Sequence, residues 1–273
     1  MHDYAEAGAH QKWTFSIITI TYNSERYLSE TIASMRMQDY PDYEHIIVDG
    51  GSTDGTLDII RNYAAADSRV RWISEPDHGI SDAMNKGVAI ANGEFIAHLH
   101  SDDYYPDSNV LSAVAKRIIN NPDSVWLTGG AFLVGSGGQL LQEIHVRNFS
   151  YRKLVRGNFI LHPATFVRRT VFLSLGGFSK KLKYAMDYEF WLRLAKSSAP
   201  VPIDLPLVCF RVHQSGVSSG ESDKAFAEEF LIRREFLAGK PLRLSAHYLY
   251  YLIKIIRHKI VAGMLLNKAE SDG

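Results

Sequence analysis

An α/β fold, with a mostly parallel sheet flanked by helices, is predicted by three features of the sequence. Four short, β-rich apolar runs fall within the first hundred residues. Segments of helical periodicity separate them, and the runs are near-continuously apolar, as strands covered on both faces are. Strands alternating with helices imply right-handed βαβ crossovers.

The elements follow in order. FSIITI (15–20) is the first strand. Residues 24–38 place Leu28, Ile32 and Met35 on one helical face behind a Ser24/Glu25 start. HIIV (45–48) is the second strand, and Leu57, Ile60 and Tyr63 mark a helix over 56–65. VRWIS (70–74) is the third strand. A helix over 82–92 opens on Asp82 as N-cap and stops before Gly93 as the C′ residue. FIAHL (95–99) is the fourth strand.

Composition bounds the function. The 273 residues are 46% apolar and 22% charged, ordinary for a soluble globular protein of one large domain with an appendage. Lys+Arg and Asp+Glu balance at 30 each, so no global field points to nucleic acid. Cys209, the only cysteine, lies in the apolar run LPLVCF and reads as a small buried hydrophobe. A single cysteine excludes an intramolecular disulfide and suits a reducing compartment. Residues 1–13 are polar, expected to be frayed, and unlike a signal peptide. No uncharged run reaches the roughly 18 residues of a membrane span, so a cytoplasmic location is expected.

In open parallel sheets ligands bind beyond the carboxyl ends of the strands. Thr21, Tyr22 and Asn23 follow the first strand, and Asp49 with GGSTDGT follows the second. EPDHGISD, containing Asp77 and Asp82, follows the third, and Asp102-Asp103 the fourth. There is no GxxxxGK[ST] phosphate loop and no GxGxxG fingerprint. A lone Asp-Asp pair is often a turn. On a rim of other acids, its mutual repulsion points to Mg2+ or Mn2+ gripping a diphosphate.

The second half offers fewer patterned signals. In YAMDYEFWLRLAK (184–196), Asp187 reads equally as a helix cap or a catalytic base, while Tyr188 and Trp191 read as core aromatics. His162 and His213 read as structural histidines, with a third metal ligand as the alternative for His213. Arg211 is placed to pair with a diphosphate. His98 and His100 face one side by strand alternation, a polar lining beside the acids. Residues 221–273 form a helical, basic extension with nine Lys/Arg against three Asp/Glu between Lys224 and Lys268. Over 241–266 its apolar stripe and basic face suit either packing on the domain or an anionic membrane surface.

TITYN, VDGGSTDGT, GISDAMNKG, HSDD, HPATFVRR, GGF with MDYEFWLRL, and FRVHQSGVS follow one another in that order. Over residues 14–220 this series resembles family 2 glycosyltransferases of the GT-A fold, a Rossmann-like arrangement. It is most similar to bacterial members that assemble surface polysaccharides such as O-antigen, capsule or exopolysaccharide. The resemblance implies an inverting, metal-dependent transfer from a nucleotide-diphosphate sugar to an acceptor hydroxyl, on a lipid-linked saccharide. It implies that Thr21, Tyr22, Asn23, Asp49 and Asp82 hold the nucleotide, that Asp102 meets ribose or metal, that Asp103 is the principal metal ligand, and that Asp187 is the general base. Gly50 departs from the family, which often has a second acid there, and Met186 stands where many members have Glu. Two rivals are a metal-dependent nucleotidyltransferase, whose expected phosphate loop TYNSERY lacks, and a degenerate transferase acting as a membrane-bound assembly partner, which the intact Asp103 and Asp187 oppose.

Overall fold

The computed structural model describes residues 13–213 and 222–237, with positions 239, 245, 247–249 and 251–252. Four parallel strands form the first half of an eight-stranded sheet: β1 (Phe15–Thr21), β2 (Tyr43–Asp49), β3 (Val70–Ser74) and β4 (Phe95–His98), in the spatial order β3-β2-β1-β4. Their register sets Thr21 opposite Asp49, and Asp49 opposite Ser74, so the polar strand ends share one rim. The crossovers are α1 (Leu28–Arg36), α2 (Thr56–Ala66) and α3 (Ile80–Ile90).

The sheet continues through strands that the sequence pattern did not reveal. β7 (Thr165–Arg168) pairs antiparallel with β4 and with β5 (Trp126–Val134). β5 also pairs antiparallel with β6 (Leu140–Ile144) and parallel with β8 (Val201–Arg211). Gly129 and Gly130 make β5 read as a loop. They are needed there because a Cβ would meet Leu207 Cγ or the Ile144 carbonyl at 2.5 Å. The remaining helices are α4 (Val110–Ile119), α5 (Tyr151–Arg156), α6 (Arg169–Ser174), α7 (Met186–Leu194) and α8 (Ser222–Phe236).

Period-two alternation sends the strand side chains to two apolar layers. Ile18, Ile46, Val48 and Ile96 pack in a cluster with Met84 and Val88 of α3 and Phe190 and Trp191 of α7. Phe15, Ile17, Phe95 and Ala97 pack in another, with Met35 of α1 and Val110, Leu111 and Val114 of α4. The sheet is thus buried on both faces, and its carboxyl rim is left for a ligand.

Two helix starts differ from expectation. α1 begins at Leu28, because Ser24 and Glu25 are tied to the neighbouring loop: Ser24 N donates to Thr56 Oγ1 at 2.8 Å, and Gly55 N donates to Glu25 Oε2 at 2.8 Å. α3 begins at Ile80 after Gly79, whose φ of 106° an L side chain rarely adopts. Asp82 is therefore in the first turn and is not the N-cap. Of the extension, α8 packs on the domain through Ile232, Phe236 and the buried Arg233, which donates to the Arg156 carbonyl at 2.7 Å. Most of segment 241–266, expected to be an amphipathic helix, and residues 1–12, expected to be frayed, lie outside the described residues. No described helix is long and apolar enough to cross a membrane.

Candidate active site

At the β2 end the buried Asp49 carboxylate accepts four hydrogen bonds. Gly51 N and Ser52 N donate to Oδ2 at 3.0 Å each, Ser74 Oγ donates to Oδ2 at 2.6 Å, and Ser52 Oγ donates to Oδ1 at 2.5 Å. Asp49, expected to line the nucleoside pocket, shapes the 50–53 loop through these bonds. Asn23 joins in holding this loop. Held at φ 49°, it donates its N–H to Ser52 Oγ at 2.8 Å and accepts from Thr53 N at 2.9 Å, stitching the β1 loop to the β2 loop.

The ligand-facing surface at this edge falls to other groups. Tyr22 is 63% exposed, and the buried Thr21 Oγ1 has no partner in the structure. Beside Tyr22 the missing side chain of Gly50 leaves a space that Asp77 enters, its Oδ2 standing 2.7 Å from where a Gly50 Cβ would be. An acid thus sits at this position from the β3 loop even though β2 supplies none.

Asp82, 2% exposed, accepts from His78 N at 3.1 Å and pairs with Lys180 at 2.5 Å and Lys86 at 3.5 Å. The Lys180 ammonium is the main cause that holds its carboxyl down to about 2. Lys180 was not singled out in the sequence; it arrives from the loop after α6, whose Phe178 bonds Asn85 of α3 at both N and O.

The acid pair is clamped from two sides. Thr31 Oγ1 of α1 donates to the carbonyls of Ser101 at 3.0 Å and Asp103 at 2.7 Å. From β8, Arg211 N donates to Asp103 Oδ1 at 2.9 Å. Asp103 is 1% exposed, and its Oδ2 is a buried carboxylate oxygen without a partner. Burial, reinforced by the neighbouring Asp102 charge, pushes its pKa well up. Asp102 is half-buried, with its Oδ2 2.8 Å from His213 Nε2.

These groups fit a hard divalent cation. A buried, unpaired carboxylate oxygen beside a second carboxylate is costly unless a cation meets it. Among the described residues no three His, Cys, Asp or Glu converge as a ready-made cage. Mg2+ and Mn2+ are commonly held by one or two carboxylates plus substrate phosphates and water, which suits the half-buried Asp102 beside the buried Asp103.

Arg211 does not face the rim. It is 4% exposed, lies 4.6 Å from the Tyr27 ring and 5.3 Å from the Tyr104 ring, and pairs with Glu30. Its remaining donors go to the Asp102 carbonyl at 2.9 Å, Ser136 at 3.0 Å and Gly135 at 3.3 Å. Arg211, expected to pair with a diphosphate, here clamps the segment that carries the acid pair.

Asp187 stands in the first turn of α7, half-buried. Tyr188 N donates to its Oδ1 at 2.6 Å, and Asn158 Nδ2 donates to its Oδ2 at 3.0 Å. Desolvation pushes its pKa up to about 6, and the Glu229 charge acts in the same direction. The N-cap of α7 is Ala185, not Asp187. Glu189 is bound by the fork of Arg193 through two contacts of 2.7 Å. Tyr188 and Trp191 are core aromatics, Trp191 stacking on Trp126 at 5.6 Å and 5°.

Glu228 of α8 ties down the segment that leads into α7. Its Oε1 accepts Lys183 N at 2.9 Å, and its Oε2 accepts Tyr184 N and Ala185 N at 2.7 Å each. Neither Asn158 nor Glu228 has a local sequence signal, because each acts across the fold.

The chain is similar to known proteins. The family model described as Glycosyl transferase family 2 matches residues 16–172. A PGL/p-HBAD biosynthesis glycosyltransferase of Mycobacterium tuberculosis is 30% identical over 258 residues, 93% of this chain and 96% of its own length. Staphylococcus aureus TarS, solved with UDP-GlcNAc, superposes with a TM-score of 0.65 at 23% identity, over 83% of this chain and 67% of that one. A mannosyltransferase of Pyrobaculum calidifontis, solved with GDP-Man and Mn2+, gives 0.61 at 18% identity, over 97% and 83%. The two structural likenesses establish the GT-A fold, and the family model with the full-length relative establishes the lineage: the chain belongs to glycosyl transferase family 2 and is a glycosyltransferase.

Proposed function

We propose that the protein moves a sugar from a nucleotide-diphosphate sugar to an acceptor hydroxyl in one inverting displacement. The observation that supports this most is the contrast between two kinds of carboxylate. Asp103 keeps an unpaired, buried oxygen beside Asp102, whereas Asp187 sits apart on α7 with a pKa of about 6. The first arrangement suits a cation, and the second suits proton transfer near neutral pH.

In this reading Tyr22, Thr21 and Asp77 face the nucleoside, and Asp103, with Asp102 and His213 at its side, would hold Mn2+ or Mg2+. The bound cation would supply charge neutralisation to the departing diphosphate. Asp187 Oδ2, oriented by Asn158, accepts the proton of the acceptor hydroxyl as that oxygen attacks the anomeric carbon. Glu228 holds α7 in place during the step. The acceptor is a lipid-linked saccharide in surface-polysaccharide assembly, reached from the membrane surface with the help of the basic segment 241–266. The naming of a full-length relative for PGL/p-HBAD biosynthesis supports a glycoconjugate acceptor.

The test is a thermal-shift panel of UDP, GDP, dTDP and CMP with and without Mn2+. A ligand that binds only the native state raises the melting temperature. One nucleoside diphosphate is expected to stabilise the protein only when Mn2+ is present. Absence of any nucleotide response in the panel contradicts the reading.

A further inference from the structure

Three histidines meet beneath the rim and have no part in the proton or cation chemistry above. His162, in a 3-10 turn (His162–Ala164) before β7, has its Nε2 3.2 Å from His98 Nδ1. Its ring lies 5.5 Å from His100 at 77°, and 5.8 Å from Trp191 at 69°. Phe178 walls the group, 5.3 Å from His162 and 5.4 Å from His98.

The order of these contacts gives the cluster a position. His100 precedes Asp102 by two residues, and Trp191 follows Asp187 by one helical turn. The path Asp102, His100, His162, Trp191, Asp187 therefore spans the floor between the acid pair and the base. If the acid pair takes the diphosphate and Asp187 takes the acceptor proton, the transferred sugar must lie over this floor.

Exposure separates the three rings. His98 is 4% exposed, whereas His100 and His162 are half-buried. Among the described residues no hydrogen bond reaches either ring nitrogen of His100 or Nδ1 of His162, and none of these atoms is sealed from solvent. Each imidazole can donate or accept, and so can each sugar hydroxyl. Two such half-buried edges match a pair of hydroxyls, while Phe178, 2% exposed, packs behind them.

We propose that His100 and His162 form the subsite that binds the hydroxyls of the transferred sugar. The assignment rests on the glycosyltransfer reading above and adds to it the groups that grip the sugar. His162 is fixed by His98 through the 3.2 Å contact between their ring nitrogens.

The experiment compares donor with bare nucleotide. Isothermal titration in Mn2+ uses UDP-GlcNAc, UDP-glucose, GDP-mannose, UDP and GDP on wild type, His100→Ala, His100→Asn and His162→Asn. For the nucleotide sugar bound by wild type, His100→Ala is expected to weaken affinity about tenfold, or about 1.4 kcal/mol, while the matching nucleotide changes less than about twofold. His162→Asn should follow the same pattern, and His100→Asn, which keeps a donor and an acceptor, should recover part of the loss. Equal losses for sugar-linked and bare nucleotide, or no loss for either, overturn this subsite and leave the glycosyltransfer reading intact. Wild type that binds none of the three nucleotide sugars overturns both.

Discussion

Asn158 Nδ2 donates to Asp187 Oδ2 at 3.0 Å, fixing the carboxylate of the proposed base from a segment 29 residues away. A hydrogen bond to the charged form lowers a carboxyl pKa, whereas the burial of Asp187 raises it, and burial wins with a pKa of about 6. The base must be ionised to accept a proton. kcat/KM is therefore expected to rise with pH through about 6 and level off above it. Asn158→Ala removes a bond to the charged form, so the acid limb should move to higher pH. A limb that stays in place or moves down contradicts the assignment. For stability the sign is opposite: a raised folded pKa contributes stability below the ordinary carboxylate range, and that contribution is lost as pH rises through about 6. Asp187→Asn should thus be at least as stable as wild type above that pH.

Glu228 receives three backbone N–H groups at the start of α7. Loss of a helix cap costs about 0.5–2 kcal/mol. Glu228→Ala is therefore expected to lower Tm by roughly 1–8 °C. Because α7 carries Asp187, kcat should fall more than nucleotide affinity does, and Glu228→Gln, which keeps one acceptor oxygen, should recover part of both. Unchanged kcat with a lowered Tm would leave Glu228 a capping residue only.

Arg211 separates two roles by the quantity it changes. A diphosphate-binding arginine would lose nucleotide affinity with little loss of stability. The buried clamp seen here predicts that Arg211→Ala costs about 1–3 kcal/mol, because the Asp102 and Ser136 carbonyls lose their donor while the exposed Glu30 loses little. Chemical denaturation with and without nucleotide measures the difference.

Asp103→Asn keeps the shape of the acid pair and removes its buried charge. Without metal its Tm should equal or exceed that of wild type, since the desolvated charge is gone. The Mn2+-dependent part of the nucleotide-induced shift should vanish. A folded variant with an undiminished Mn2+ response contradicts the placement of the cation.

The first half of the fold was legible because each of its elements carries a local signal. FSIITI, HIIV, VRWIS and FIAHL are apolar over strand length, and all four became neighbouring strands. The antiparallel half was not legible, because Gly129 and Gly130 interrupt β5 and Pro206 interrupts β8, both at shifts of the strand register. At the site, the rim positions were readable from the strand ends, but which groups remain open for a ligand was not. Asp49, Asn23 and Arg211 carry the residue types of binding groups and use them on the protein itself. Conversely Asn158, Lys180 and Glu228 act across distant segments of the chain, where no periodicity announces them.

The central claim is that Asp187 is the base, and Asp187→Asn tests it most directly. A positioned base contributes about 10²–10⁴-fold to the attack of a weakly nucleophilic hydroxyl. Nucleotide released from the sugar donor that wild type binds in Mn2+, to acceptor or to water, gives the rate. The account predicts that Asp187→Asn lowers kcat by at least about a hundredfold while the dissociation constant of the donor stays within about twofold. A variant that turns over at near wild-type rate, or one that loses donor binding together with turnover, would contradict it.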